Sequence, residues 1–274
     1  MIELFSYKFM QNALLAALIG GASCGVTGVF VVLMRIPFIS VAMSHAAFAG
    51  AVLGILTGVN PLMLAIVFSL ASAFLIGPIA DKADIDTNIS IGIIFSIVLG
   101  IAFLCMGLIK GPKTEALKYI WGNILMVSSN NIILMAIVLI LVSLFIILLF
   151  KEMKAVLFSR ELSAASGIPE KKIYYIMLFL SGLVVSLNLN TIGGLLIFSL
   201  IVNPAAAAYQ LTYSVKRMFL LSASFGILST LTGLFCSYLF DVPSGAVIIL
   251  ISSSLFGIAL LFSPKRKVKH YATA

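Results

Sequence analysis

The chain has 274 residues, 62% of them hydrophobic and only 9% charged, with a mean hydropathy of +1.23. A soluble domain carries about a quarter charged residues, so composition excludes a soluble globular protein and points to an all-α polytopic membrane protein. A net charge of +8 would suggest nucleic acid in a soluble chain; here loop cations obeying the positive-inside rule account for it, and no nucleic-acid partner is expected.

A membrane-spanning helix needs roughly 20 apolar residues, and with a loop about 30, so this length holds roughly nine spans. The opening "MIELFSYKFMQN" has no basic n-region and no small-residue cleavage site, so no removable signal peptide is expected. In chain order the apolar runs are 11–34, 37–58, 61–80, 88–109, 131–150, 173–191, 193–211, 217–240 and 244–263. No long polar stretch interrupts them, so a single transmembrane domain over 1–274 is expected, without an appended soluble domain. The breaks are chemical: Arg35 and Pro37, the turn Asn60-Pro61, and the charged loop "DKADID" at 81–86, where Asp86 or Thr87 can cap the next helix.

In the first span, "GASCG" (21–25) spaces its glycines as G-x-x-x-G, as does "GAVLG" (50–54) in the second. In lipid, that spacing lets helix backbones approach closely. "GASCG" also fits the G-x-S-x-G hydrolase elbow, but that elbow needs a strand-to-helix turn and Ser23 lies mid-helix. The second span, "FISVAMSHAAFAGAVLG" (38–54), carries His45. The other histidine, His270, is in the tail. With the span starting at 37, His45 sits roughly 13 Å along it, near the bilayer midplane. An ionisable group there faces a cavity or a partner. It reads either as a nitrogen ligand for a transition metal or as a helix-to-helix hydrogen bond. Helix geometry sets it about 100° away from the small-residue face of Ala46, Gly50 and Gly54.

The segment 110–130 is expected to be a re-entrant or interfacial piece. The run 151–172 is the most polar internal stretch. Within it "SRELSAAS" (159–166) predicts a short helix with an early Glu161, stopped by Gly167 and Pro169. In 191–211, Pro204 removes a backbone hydrogen bond and kinks the span or ends it, and Asn203 beside it can satisfy freed carbonyls. Broken helices of this kind line pathways in transporters. The cysteines, Cys24, Cys105 and Cys236, all lie in apolar runs with no zinc or disulfide spacing. No G-x-x-x-x-G-K-[ST] phosphate loop occurs, so nucleotide hydrolysis by that route must belong to another polypeptide. Placing Arg35, 81–86, 151–172, 212–217 and the basic tail 264–274 on one side puts 13 cations there against 4 on the other. The positive-inside rule makes the first side cytoplasmic; with all nine spans crossing, the C-terminus is inside and the N-terminus outside.

Several stretches, in order, resemble the permease subunits of the ABC transporter family for zinc, manganese and iron. "SHAAFAG" is similar to the family's S-H-A-x-x-x-G, "DTNISIGIIFS" (86–96) to its D-T-x-I-G-I-x-F, and "WGNIL" (121–125) to its F-G-N-I-L. "LFSRELSAASGIP" (157–169), "GGLLIFSLIVNPAAAA" (193–208) and "DVPSGAVIIL" (241–250) resemble its later segments, so the resemblance covers about residues 10–263. It implies the fold shared with cobalamin and siderophore importers, a multi-pass cell-membrane location and a homodimer. It also implies two cytoplasmic ATPase subunits that use the ATP, an external metal-binding protein, and a transported divalent metal with no permanently bound cofactor. The chain itself would be no enzyme. By resemblance, His45 is a transient pathway ligand. Ser159, Arg160, Glu161, Leu162, Ala165, Gly167 and Pro169 form the coupling segment against the ATPase, Asn203 and Pro204 lie at a pathway helix break, and Asp241 lies at the external mouth.

Three positions depart from the family pattern. Val41 stands where an aspartate usually pairs with the histidine, Ala49 replaces a signature proline, and Ser159 replaces the coupling aspartate. An i, i+4 pair would set both ligands on one helix face; without the carboxylate the site is softer and less charged. The competing readings are a permease for a siderophore or cobalamin chelate on the same fold, an intramembrane hydrolase, and a secondary carrier. Chelate permeases usually carry an extra N-terminal span and lack S-H-A-x-x-x-G, and a secondary carrier should show inverted repeats, of which none is found.

Overall fold

The structure, a computed structural model, describes residues 7–110, 113–122, 124–194 and 196–265, with the side chain of Asn190 left out. His270 and all of the basic tail beyond Lys265 lie outside the described residues, as do Asn123 and Leu195 of the quoted motifs.

The described residues form twelve α-helices and no strand. They run α1 Lys8–Leu33, α2 Ile39–Thr57, α3 Pro61–Ala83, α4 Thr87–Leu108, α5 Thr114–Trp121 and α6 Ser129–Leu148. Then come α7 Phe150–Phe158, α8 Arg160–Ala165, α9 Glu170–Ile192, α10 Ile197–Leu211, α11 Val215–Phe240 and α12 Ser244–Leu261. Eight of these are long and apolar enough to cross a membrane. The run expected at 193–211 becomes α10, of only 15 residues, or about 22 Å at 1.5 Å per residue. It is shortened because Gly193, at φ 96°, and the turn after it take the first residues of that run out of the helix.

The helix ends follow local chemistry. Asn60 accepts from the backbone N–H groups of Leu62 (2.9 Å) and Met63 (3.3 Å), with Pro61 as the first helical residue. Asp86, rather than Thr87, caps α4, accepting from Asn88 N–H at 2.7 Å. Ser128 caps α6 in the same way.

Helices α1, α2 and α9 are buried over most of their length, while less than half of α3, α4, α6, α11 and α12 is buried. Glycine decides how close the central helices come. A Cβ built on Gly21 of α1 would lie 2.6 Å from the Gly226 carbonyl oxygen of α11, and one on Gly25 would meet the Ser222 carbonyl. Thr230 Oγ1 of α11 donates to the Ala17 carbonyl across the same seam, at 2.7 Å. The "GASCG" stretch is therefore the α1–α11 packing face. Ser23 is buried inside an uninterrupted helix and donates to the Gly20 carbonyl at 3.1 Å, which is not an elbow. Gly50 and Gly54 of α2 meet the backbone of α3 at Leu64 and Pro61.

The bundle has two polar ends. One gathers Arg35, Asp81, Asp86 and Arg160. At the other, α5 and a 3-10 turn at Ile124–Met126 pack against α1, α2 and α9. Gly122 (φ 66°) and Gly193 (φ 96°) cross there in backbone contact, and Gly194 N–H donates to the Tyr119 carbonyl at 3.0 Å.

Filling the tight seam with a larger side chain should cost about 1–3 kcal/mol by overpacking. Gly21→Val is expected to lower the thermal midpoint in detergent, whereas Gly257→Val on α12, where an added Cβ meets nothing within 4 Å, should leave it unchanged. Equal midpoints would contradict the packing described.

Candidate transport site

His45 lies six residues into α2, because the helix begins at Ile39 rather than 37. That places it about 9 Å along the helix, closer to the Arg160 end than the sequence reading placed it. Its ring is half-buried and turned away from the Gly50/Gly54 seam, toward α4, where the Phe95 ring meets it edge-on at 5.2 Å. Phe38 stacks edge-on against the other side of Phe95 at 5.3 Å. His45 Nδ1 lies 3.0 Å from the Val41 carbonyl oxygen. A carbonyl oxygen only accepts, so Nδ1 carries the proton and donates. In the neutral ring the lone pair then sits on Nε2, the atom that can ligate a metal. Ser44 Oγ donates to the same carbonyl at 3.0 Å and lies 3.5 Å from Nδ1.

Val41 is half-buried one turn before His45 and offers only its backbone carbonyl. The described carboxylates all lie toward the two ends of the bundle: Asp81, Asp84, Asp86, Glu152, Glu161 and Glu170 at one, Glu115 and Asp241 at the other. Among the described residues no group of three or more His, Cys, Asp or Glu side chains gathers. His45 is thus one donor, not a complete coordination shell.

Two further polar features occupy the interior. Asn188 of α9 donates to the Val184 carbonyl at 2.8 Å and to Ser23 Oγ at 3.4 Å. Asn203 donates to Ser252 Oγ (3.2 Å) and Ser253 Oγ (2.9 Å) on α12. The Asn203 amide therefore stitches α10 to α12 instead of serving carbonyls freed by Pro204, which stays within α10. Asn203 lies on the α12 side of α10.

At the Arg160 end the predicted short helix is α8. Ser159 caps it by accepting from Leu162 N–H at 3.2 Å, and Gly167 at φ 77° ends the turn after it. Phe158, Glu161, Leu162, Ala165, Gly167 and Pro169 are exposed, with Phe158 at 85% and Leu162 at 60%. Arg160 points the other way. Its guanidinium bonds Asp81 of α3 at 3.1 Å and Glu170 of α9 at 2.9 Å and lies 4.2 Å over the Tyr174 ring. Partial burial works against its charge, but the two carboxylates outweigh that and hold its pKa above the usual arginine value. Sequence reading missed Asp81, Glu170, Tyr174 and Phe95, because each reaches its partner only through tertiary folding.

Asp241 caps the end of α11 in the left-handed region (φ 52°). It lines a cavity of about 870 Å³ with Trp121, Leu125, Tyr238 and Gly245. The structure so joins Asp241 to the 110–130 segment.

The model of the ABC 3 transport family matches residues 6–263. The manganese transport system membrane protein MntC of Halalkalibacterium halodurans is 32% identical over 266 residues, covering 97% of this chain and 91% of that protein. The manganese import system permease protein ScaB of Streptococcus parasanguinis is 34% identical, covering 96% and 94%. The solved structure of PsaBC from Streptococcus pneumoniae, in complex with Fab, superposes with a TM-score of 0.85 at 31% identity, over 97% of this chain and 96% of its own. These likenesses span the described bundle end to end, and the chain belongs to the ABC 3 transport family.

Proposed function

We propose that this chain is the membrane permease of an ATP-driven importer of divalent transition-metal ions, working as a homodimer by alternating access. His45 carries the reading: it is the one imidazole between the polar ends among the described residues, and its Nδ1 bond leaves Nε2 free to bind a metal. The naming of manganese in its relatives supports a metal as the cargo. Zinc and iron belong to the same proposal, because an imidazole accepts all three.

The second copy is supported by the face on which His45 opens. An ionisable group in the bilayer faces protein or water, not lipid. On α4 beside it, Gly92, Ser96 and Gly100 follow at four-residue steps, and a Cβ on Gly92 or Gly100 would meet nothing within 4 Å. That small-residue stripe suits close approach of a second helix. Two copies bring two imidazoles to one path, a shell weak enough to release its ion. Cation excess makes the Arg160 end cytoplasmic, with the C-terminus inside. There exposed Phe158 and Leu162 of the coupling segment 151–172 face the ATPase subunits. The cavity at Asp241 lies at the opposite, external mouth, where a metal-binding protein delivers the ion. Reading the cargo instead as a metal chelate predicts that uptake needs an organic ligand.

Three outcomes follow. His45→Ala should lower metal uptake by cells holding the complete transporter about tenfold or more, as loss of a ligand does; unchanged uptake rejects the site. Val41→Asp adds a hard oxygen donor one turn from His45 and should shift uptake from zinc toward manganese by about tenfold, in two-isotope competition. Gly100→Leu is tolerated within one copy, so its effect should be a smaller dimer fraction on sizing columns in detergent. A dimer of undiminished stability would place the interface elsewhere.

A further inference from the structure

Both ion pairs among the described residues share one guanidinium. Arg160 Nη2 bonds Asp81 Oδ2 at 3.1 Å, and Arg160 Nε bonds Glu170 Oε2 at 2.9 Å. Tyr175 donates its hydroxyl to the same Asp81 oxygen at 2.6 Å. Tyr174 lies under the guanidinium and bonds Thr87 of α4 at 3.2 Å. The three charged side chains are 30%, 17% and 11% exposed, so this is not a loose surface pair. A planar arginine fork holds two acceptors in fixed directions, which a lysine cannot do.

Among the described residues, both ion pairs that tie α8 to the long helices are made by Arg160. A helix of six residues does not stand alone. Its exposed side carries Leu162, with Phe158 just before it, while Arg160 reaches back into the bundle. Asp81 is in the last turn of α3, and α3 is the helix against which Gly50 and Gly54 pack α2. Ser90 of α4 donates to the Ile76 carbonyl of α3 at 2.8 Å. Displacing α8 therefore pulls on α3 and on the start of α9, and through α3 on the two helices that flank His45.

We propose that Arg160 is the joint that passes the movement of α8 to α3 and α9: a positioning residue for transport rather than a contact with the ATPase. The inference rests on the importer reading of α8. It separates two jobs on neighbouring residues, docking by Phe158 and Leu162 and transmission by Arg160.

The test is the number of metal ions moved per ATP hydrolysed by the assembled transporter in proteoliposomes. Arg160→Gln is expected to keep ATP hydrolysis within about twofold while ions moved per ATP fall about tenfold, the size of an ordinary coupling free energy. Arg160→Lys keeps the charge but loses the fork and should fall between. Asp81→Asn, which leaves α8 intact, should resemble Arg160→Gln, and the double variant should be no worse than the worse single one. An unchanged ratio in Asp81→Asn overturns the joint, even if Arg160→Gln does not assemble. So does joint loss of hydrolysis and transport in an assembled Arg160→Gln complex, which would make Arg160 a docking contact. No ATP-driven uptake by the unsubstituted complex would instead sink the importer reading, and the joint with it.

Discussion

Hydrocarbon offers no partner to a polar group, and the architecture follows from that constraint. A buried polar atom must be satisfied within the protein or moved to a membrane surface. Here charged side chains collect at the two ends of the bundle. Among the described residues Thr27 Oγ1 and Asn188 Oδ1 are buried without a partner, while many interior hydroxyls bond helix carbonyls. Thr230 and Ser69 do so across helix seams, to Ala17 and Gly182. The interior then has little left to hold helices together except contact. Glycine supplies it by bringing backbones within van der Waals distance, α1 onto α11 at Gly21 and Gly226 and α2 onto α3 at Gly50 and Gly54.

Against that background a lone imidazole stands out energetically. His45 costs free energy unless its ring is partnered. The fold supplies the Val41 carbonyl and the Phe95 edge, and leaves one ring nitrogen without a donor. One nitrogen with no nearby carboxylate binds a divalent ion weakly, which fits the pathway role proposed for it.

The Arg160 end reverses this economy of charge. Two carboxylates, two tyrosines and a guanidinium meet at a junction of α3, α8 and α9. Desolvation works against the arginine charge, and paired carboxylates more than offset it. Such a cluster is directional and hard to slide, unlike the smooth apolar seams above it. The molecule thus combines close-packed glycine seams in its interior with one polar cluster at the Arg160 end.

Much of this was legible in the residues alone. Hydropathy and its breaks located the spans to within a few residues, because a bilayer imposes length and apolarity on each helix separately. The turn at Asn60-Pro61, a cap at Asp86 or Thr87, and a short helix within 159–166 were likewise readable, since each depends on neighbours within four residues. The motif order also carried the family. What the residues could not declare was direction. Whether Arg160 faces outward or reaches Asp81, 79 positions away, whether Asn203 bonds its own helix or α12, and which ring packs on His45 depend on helix rotation and neighbour choice. Those are settled only when all the seams close together, because no single helix contains both partners.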